Sequence, residues 1–431
     1  MQSSPRSSRR TVNVLALVLS SAATVTAQSP PRGDRGDAAS ATAQAPRCSA
    51  RVRTIAPQRA RPDTREAPAL VLVDDGALLA WRAAEGTLFL SRLDARYERR
   101  ADDRELAHPT GPFAMIPALH GAVLAYAERS AAGDSVVMLA RVTATGEARN
   151  VPRELGRGRA IEHVTIAPTP AGYAIAWSTP MTASGSRTHL VLTDGRGVPL
   201  GVERAVASGS APRLVYLPAT QTVVLAATAG TGEPIIAIVE AEGTLGTLSG
   251  WSSTGRAVAV AGGGNAAIAL TSVADANGAG TPGIVRFSPE DGVSSSPISL
   301  HLASTASPVA LLGDRTGMLV LVDEGIRRES LFRVASDGTA TLLAIRAGHA
   351  GTVVPTTDGY VVAGHQPVET PLGGVDLVTL ACPRPPPPPA SPPAPPPTTG
   401  AALANASLSS SASGGSPQPD AGAAAHGVAD Q

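Results

Sequence analysis

The chain has 431 residues, 35 basic and 35 acidic, so its formal net charge is zero, and every basic residue is Arg. A neutral chain offers no long-range field to nucleic acid or to an anionic membrane surface, which sets both aside as partners. Hydrophobic residues reach 43% while aromatics are 3%, so any core must be built from Ala, Val, Leu and Ile.

Residues 1–27 read as a signal peptide. Arg6, Arg9 and Arg10 form a positive start, Val12–Val25 an apolar stretch, and small residues precede a cut at Ala27/Gln28. That stretch is too short and interrupted to span a bilayer, and no other segment reads as a span. The expected location is therefore secreted, periplasmic or cell-surface, where disulfides persist. Residues 28–46 are rich in Pro, Ala, Asp and Arg without periodicity and read as a disordered leader. They carry Arg32-Gly33-Asp34 and Arg35-Gly36-Asp37, which resemble integrin-binding tripeptides but also follow from the local composition.

Residues 47–383 repeat. One apolar element reads GALLAW from Gly76, GAVLAY from Gly121, GYAIAW from Gly172, QTVVLA from Gln221, NAAIAL from Asn265, GMLVLV from Gly317 and GYVVAG from Gly359. A second follows each first, from LSRLDA at Leu90 through LARVTA at Leu139 to LVTLAC at Leu377. A repeat of roughly 45 residues with two such elements matches the four-stranded blade of a propeller. The first element, apolar on both faces, suits a strand sandwiched between neighbouring sheets. The second ends in turn chemistry, as at Thr145-Gly146, Asp194-Gly195 and Glu242-Gly243. The fold expected is all-β: a seven-bladed β-propeller of four-stranded antiparallel blades.

The seventh second element ends at Cys382 and runs directly into Pro383–Pro397, a stretch mostly of proline, so it has no outer strand of its own. Arg51-Val52-Arg53-Thr54-Ile55, just after Cys48, can supply it. Cys48 and Cys382 would then be neighbours across an antiparallel pair and within disulfide reach; the alternative is two separate thiols. Residues 384–431 read as a Pro-rich and then Ala/Ser/Gly-rich disordered tail. Fifteen residues of polyproline II would extend ~45 Å.

No catalytic, cofactor or metal set is assigned. Trp81, Tyr126 and Trp177 share the last place of the first element in three repeats; they are either a stacking cluster for a partner or packing between blades. Arg92, Arg141, Arg286 and Arg333 share one place in the second element. Asp275-Ala276-Asn277-Gly278 has the start of a calcium loop without its further ligands. His349 and His365 could approach each other but lack companions for a metal. Ser336-Asp337-Gly338-Thr339 stands at the turn after a second element. With it, the repeats resemble those of bacterial secreted β-propellers, including the sialidase-like (BNR, Asp-box) group, although the motif is compressed and lacks its Trp. That resemblance implies the propeller architecture; the three carboxylate-binding arginines and the Tyr–Glu pair of a sialidase have no assignable positions.

Function on a rigid scaffold sits in its loops. The expected role is a monomeric, non-catalytic propeller that binds a protein or cell-envelope partner. The contact loops join the first and second elements: Arg82–Thr87, Ala127–Asp134, Ser178–Arg187, Ala227–Glu233, Thr271–Thr281, Asp323–Arg328 and His365–Gly374. The alternative is a glycoside hydrolase or lyase at the channel mouth, needing two carboxylates to converge from Glu85, Asp134, Glu233, Asp275, Asp323 and Glu369.

Overall fold

The computed structural model describes residues 48–382, apart from 182–184, 219, 230–233, 248–256, 264–265, 275–279, 289–291, 294–297, 300–306, 315–316, 326–327, 335–339, 348 and 366–372. The segments read as signal peptide, leader and tail lie outside the described residues, as do the Asp275 loop and the Ser336 turn.

Every regular element described is a β-strand. An N-terminal strand, β1 (Ser49–Ile55), precedes the first blade: β2 (Ala69–Val73), β3 (Gly76–Arg82), β4 (Leu88–Asp94) and β5 (Arg104–Ala107). The second blade is β6 (Pro109–Ala118), β7 (Gly121–Arg129), β8 (Ser135–Thr143) and β9 (Arg153–Gly158). The third is β10 (His163–Pro168), β11 (Gly172–Met181), β12 (Gly185–Asp194) and β13 (Arg204–Ala207). The fourth is β14 (Gly209–Leu217), β15 (Thr222–Ala229), β16 (Pro234–Val239) and β17 (Leu245–Thr247). Next come β18 (Ala257–Gly263), β19 (Ala266–Ala274), β20 (Gly280–Ser288), β21 (Gly292–Val293) and β22 (Ile298–Ser299), which share one sheet. A fifth blade is β23 (Ser307–Asp314), β24 (Gly317–Gly325), β25 (Arg328–Val334) and β26 (Ala340–Ala347). The closing blade contains β27 (His349–Pro355), β28 (Gly359–His365) and β29 (Val375–Ala381), with β1 on its outer edge.

The expectation of seven four-stranded blades is corrected here: the structure has six four-stranded blades, and the sheet between the fourth and fifth has five strands. Two short strands share the outer edge of β20, β21 pairing Phe287–Ser288 and β22 pairing Gly283–Ile284. The extra strand reflects where the chain returns along the edge of β20, which is a matter of register.

The second strand of each blade is apolar on both faces because both are covered. Ala77, Leu79 and Trp81 of β3 join Val361, Ala363, Val375 and Leu377 of the closing blade. Leu78 and Ala80, one step along, join Leu124 and Tyr126 of the second blade. Each buried Leu or Val contributes about 1.5–3 kcal/mol by leaving water, so the stacked faces are where stability accumulates. The innermost strands close a ring, β2 packing on β6, then in turn β10, β14, β18, β23, β27 and back to β2.

Closure follows the expected route. β1 pairs antiparallel with β29 from Ser49 opposite Ala381 to Ile55 opposite Val375. Cys48 and Cys382 form a disulfide with Cα atoms 4.2 Å apart, 334 residues apart in sequence. Residues 56–68 then cross from the rim to the innermost strand. They are pinned by Asp63 N–H to the Arg82 carbonyl (2.8 Å) and Ala84 N–H to the Arg61 carbonyl (2.8 Å). At the opposite face the turns are set by acids: Asp194 Oδ1 accepts the Arg196 and Val198 N–H groups at 2.8 and 2.7 Å. Those donors hold its carboxyl below the usual range. The left-handed residue of this turn is Gly197, φ 82°, two places past the expected Gly195; in the first blade Tyr97 takes the same conformation at φ 60°.

Candidate functional site

Trp81, Tyr126 and Trp177 are 1%, 1% and 0% exposed. Each fills the space between its own blade and the preceding one, so in this structure none of them presents a surface to a partner. Two carry polar networks that periodicity could not reveal. Trp81 stacks on Phe89 with ring centroids 4.8 Å apart, and its Nε1–H donates to Ser91 Oγ (3.0 Å). Ser91 donates to Asp103 Oδ1 (2.5 Å), and Arg99 pairs with Asp103 Oδ2 at 3.1 Å. Trp177 stacks on His189 at 5.5 Å, whose Nε2 lies 2.9 Å from Thr179 Oγ1 and whose Nδ1 lies 2.7 Å from Glu203 Oε1. Asp103 and Glu203 each stand just before the outer strand of a blade, and their shared role emerges only once the strands are paired.

The face bearing the loops between second and third strands is organised around Arg82. Its guanidinium meets Asp63 Oδ2 at 2.6 Å and Glu66 Oε1 at 3.5 Å, and donates to the Gly111 carbonyl at 2.9 Å. Buried His365 donates through Nε2 to the Glu66 carbonyl at 2.6 Å. Burial raises the Glu66 carboxyl. Burial also pushes Asp63 up, but the bonds from Arg82 and the Arg65 N–H outweigh it, so Asp63 titrates below the usual carboxylate range. A depressed folded pKa means stability present above the unfolded value and lost as pH falls through the folded one. Asp63→Asn is therefore expected to cost ~3 kcal/mol at pH 7, since Arg82 loses its nearest counter-charge. In urea titrations the gap from wild type should narrow as pH falls through and below the usual carboxylate range.

Glu85 and Asp134, acids proposed for a channel-mouth enzyme, are exposed in the loops of different blades. Glu233, Asp275 and Glu369 lie outside the described residues, and Asp323 is placed by its backbone pairing with Ser307 on one side and Glu329 on the other. Arg92 is buried and ion-paired with Asp75. His349 and His365 do pair across β27 and β28. Among the described residues no group of three or more His, Cys, Asp or Glu side chains could hold a metal ion.

Clefts open on the opposite face among the described residues. One, of about 240 Å³, lies between the third and fourth blades against Pro170, Leu192, Leu200, Val223 and Val239. Another, of about 490 Å³, lies between the closing and first blades against Asp74, Tyr97, Thr356 and Asp358.

This arrangement defines the class as a β-propeller. No family model matches the chain, and no curated protein does. Among solved structures it is similar to the β-propeller domain of the Trilobed protease from Pyrococcus furiosus, with TM-score 0.45 and 11% identity over 72% of this chain and 93% of that one. It is also similar to the hydrazine synthase of Kuenenia stuttgartiensis (0.48, 13%, 75% and 97%) and to TolB from Acinetobacter baumannii (0.37, 14%, 72% and 79%).

Proposed function

We propose that this chain is an exported, non-catalytic propeller scaffold that binds a protein or cell-surface partner through the loops joining the second and third strands. The observation that carries this reading is the uneven height of those hairpins on a common base. Gly76, Gly121 and Gly172 start equivalent strands, opposite Asp94, Thr143 and Asp194. From there the second strands run 7, 9 and 10 residues, so the hairpins rise to different levels over the first three blades. A rigid base with variable projections suits selective contact, and residues 131–134 are exposed at one tip.

Exchange of 130–134 for a Gly/Ser loop tests this. The variant should keep the wild-type melting temperature within about 2 °C, since a surface loop carries little stability. Its capture of cell-envelope protein on an affinity column should fall at least fivefold relative to the full wild-type chain. Unchanged capture by this and the matching exchange at 83–87 would remove the loop face as the binding surface.

A further inference from the structure

The innermost strands form the wall of the central channel, and their sequences are almost free of charge. Across β2, β6, β10, β14, β18, β23 and β27 there is no Glu, one Asp, and one Arg. The Asp is Asp314, the last residue of β23, opposite Gly317 of β24. The Arg is Arg213, in the middle of β14 and opposite Ala226 of β15.

Arg213 is solvent-exposed although both residues flanking it in β14 are buried. β15 covers the one edge of β14 that is paired, and β10 and β18 pack against its flanks. The remaining open side is the channel, so water reaches the guanidinium from there. The backbone delivers it deliberately: the pairing with β15 shifts register between Ser210 and Arg213, with Ala211 left-handed at φ 49°. Such a bulge re-aims the side chains that follow it. Leu214, the next residue, turns into the core shared with the third blade. Among the described residues, Arg213 makes no ion pair or hydrogen bond. The protein crowding around it strips hydration and pulls its pKa down, with no charged neighbour contributing.

We propose that the central channel is a binding site for a small oxyanion, a carboxylate or a phosphate, held by the Arg213 guanidinium. Its planar fork matches two oxygens of either group. A wall with few other charges, enclosed by protein, screens that contact less than open water does. An uncompensated cation in such a place lowers the stability of the empty protein, and an apolar side chain of similar length removes that penalty. The site goes beyond loop-face binding and does not depend on it.

The test is calorimetric titration of the full chain with inorganic phosphate and, separately, with succinate, each against chloride at matched ionic strength. Wild type should bind at least one of them saturably at one site. Arg213→Met should weaken that binding at least about tenfold, the equivalent of one charge-assisted pair. Arg213→Lys, which keeps the charge and loses the fork, should fall between. Without anion, Arg213→Met should melt ~3 °C above wild type. No saturable binding of either anion, equal affinity in Arg213→Met, or a Met variant that melts below wild type or fails to fold would each overturn the proposal.

Discussion

Replacing Cys48 and Cys382 together by Ser should lower the melting temperature by ~10 °C. The bond closes a loop of 334 residues. In the chain-entropy treatment that constraint on the unfolded state is worth on the order of 5 kcal/mol, an upper figure. For a domain this large, that maps to roughly 10 °C. The folded state gives a second reason. β1 buries little: Val52 is 60% exposed, and Ile55 alone of its seven residues is buried. It stays on β29 through the strand ladder, the Thr54–Asp376 hydrogen bond (2.6 Å), the Arg53–Glu98 pair (2.8 Å) and the disulfide. Exposed ion pairs add only ~0–1 kcal/mol, so little else anchors the strand. Without the bond, amides of β1 and β29 should exchange first, exposing an edge prone to pairing with other chains. Calorimetry of the double variant reads the first effect and hydrogen exchange the second; a fall below about 2 °C would mean the ladder alone closes the ring.

The second large effect is at the interface of the second and third blades. Trp177→Ala should cost about 3–5 kcal/mol by emptying a fully buried site. Gly156, on the outer strand of the second blade, lies so close that an added methyl would sit 2.4 Å from Trp177 Cζ2 and 2.4 Å from Glu203 Oε2. Gly156→Ala should therefore cost about 1–3 kcal/mol by overpacking. The two should not add: once the indole is gone only the Glu203 carboxylate still crowds the methyl, so Gly156→Ala should cost less on the Trp177→Ala background than on wild type. Trp177→Phe should be milder, because the indole Nε1–H is buried without an acceptor among the described residues. Chemical denaturation of the four proteins completes the cycle; strict additivity would show that the residues do not meet.

Much of this architecture was legible because one kind of strand recurs. The apolar runs at Gly76, Gly121 and Gly172 announce two-sided burial, and the proline stretch after Cys382 shows that an outer strand must come from elsewhere. The five-stranded sheet was not legible, because pairing of β21 and β22 to a single strand is a matter of register, which composition does not encode. The aromatic residues illustrate the limit for sites. Their shared position in the repeat was visible, but the choice between outward stacking and inter-blade packing depends on which sheet lies opposite. Asp103, His189, Glu203 and Arg213 carried no periodic signal at all. Arg213 could have been singled out only by asking which charges fall on the innermost strands, and that requires the topology first.

The central claim is a ring fastened by joining its two chain ends. Proteolysis of the unreduced full chain after arginine, followed by mass spectrometry, tests it directly. The account predicts that Cys48–Arg51 is recovered covalently linked to the peptide carrying Cys382, and that reduction separates them. Recovery of both as free thiols, or linked only between different molecules, would contradict it.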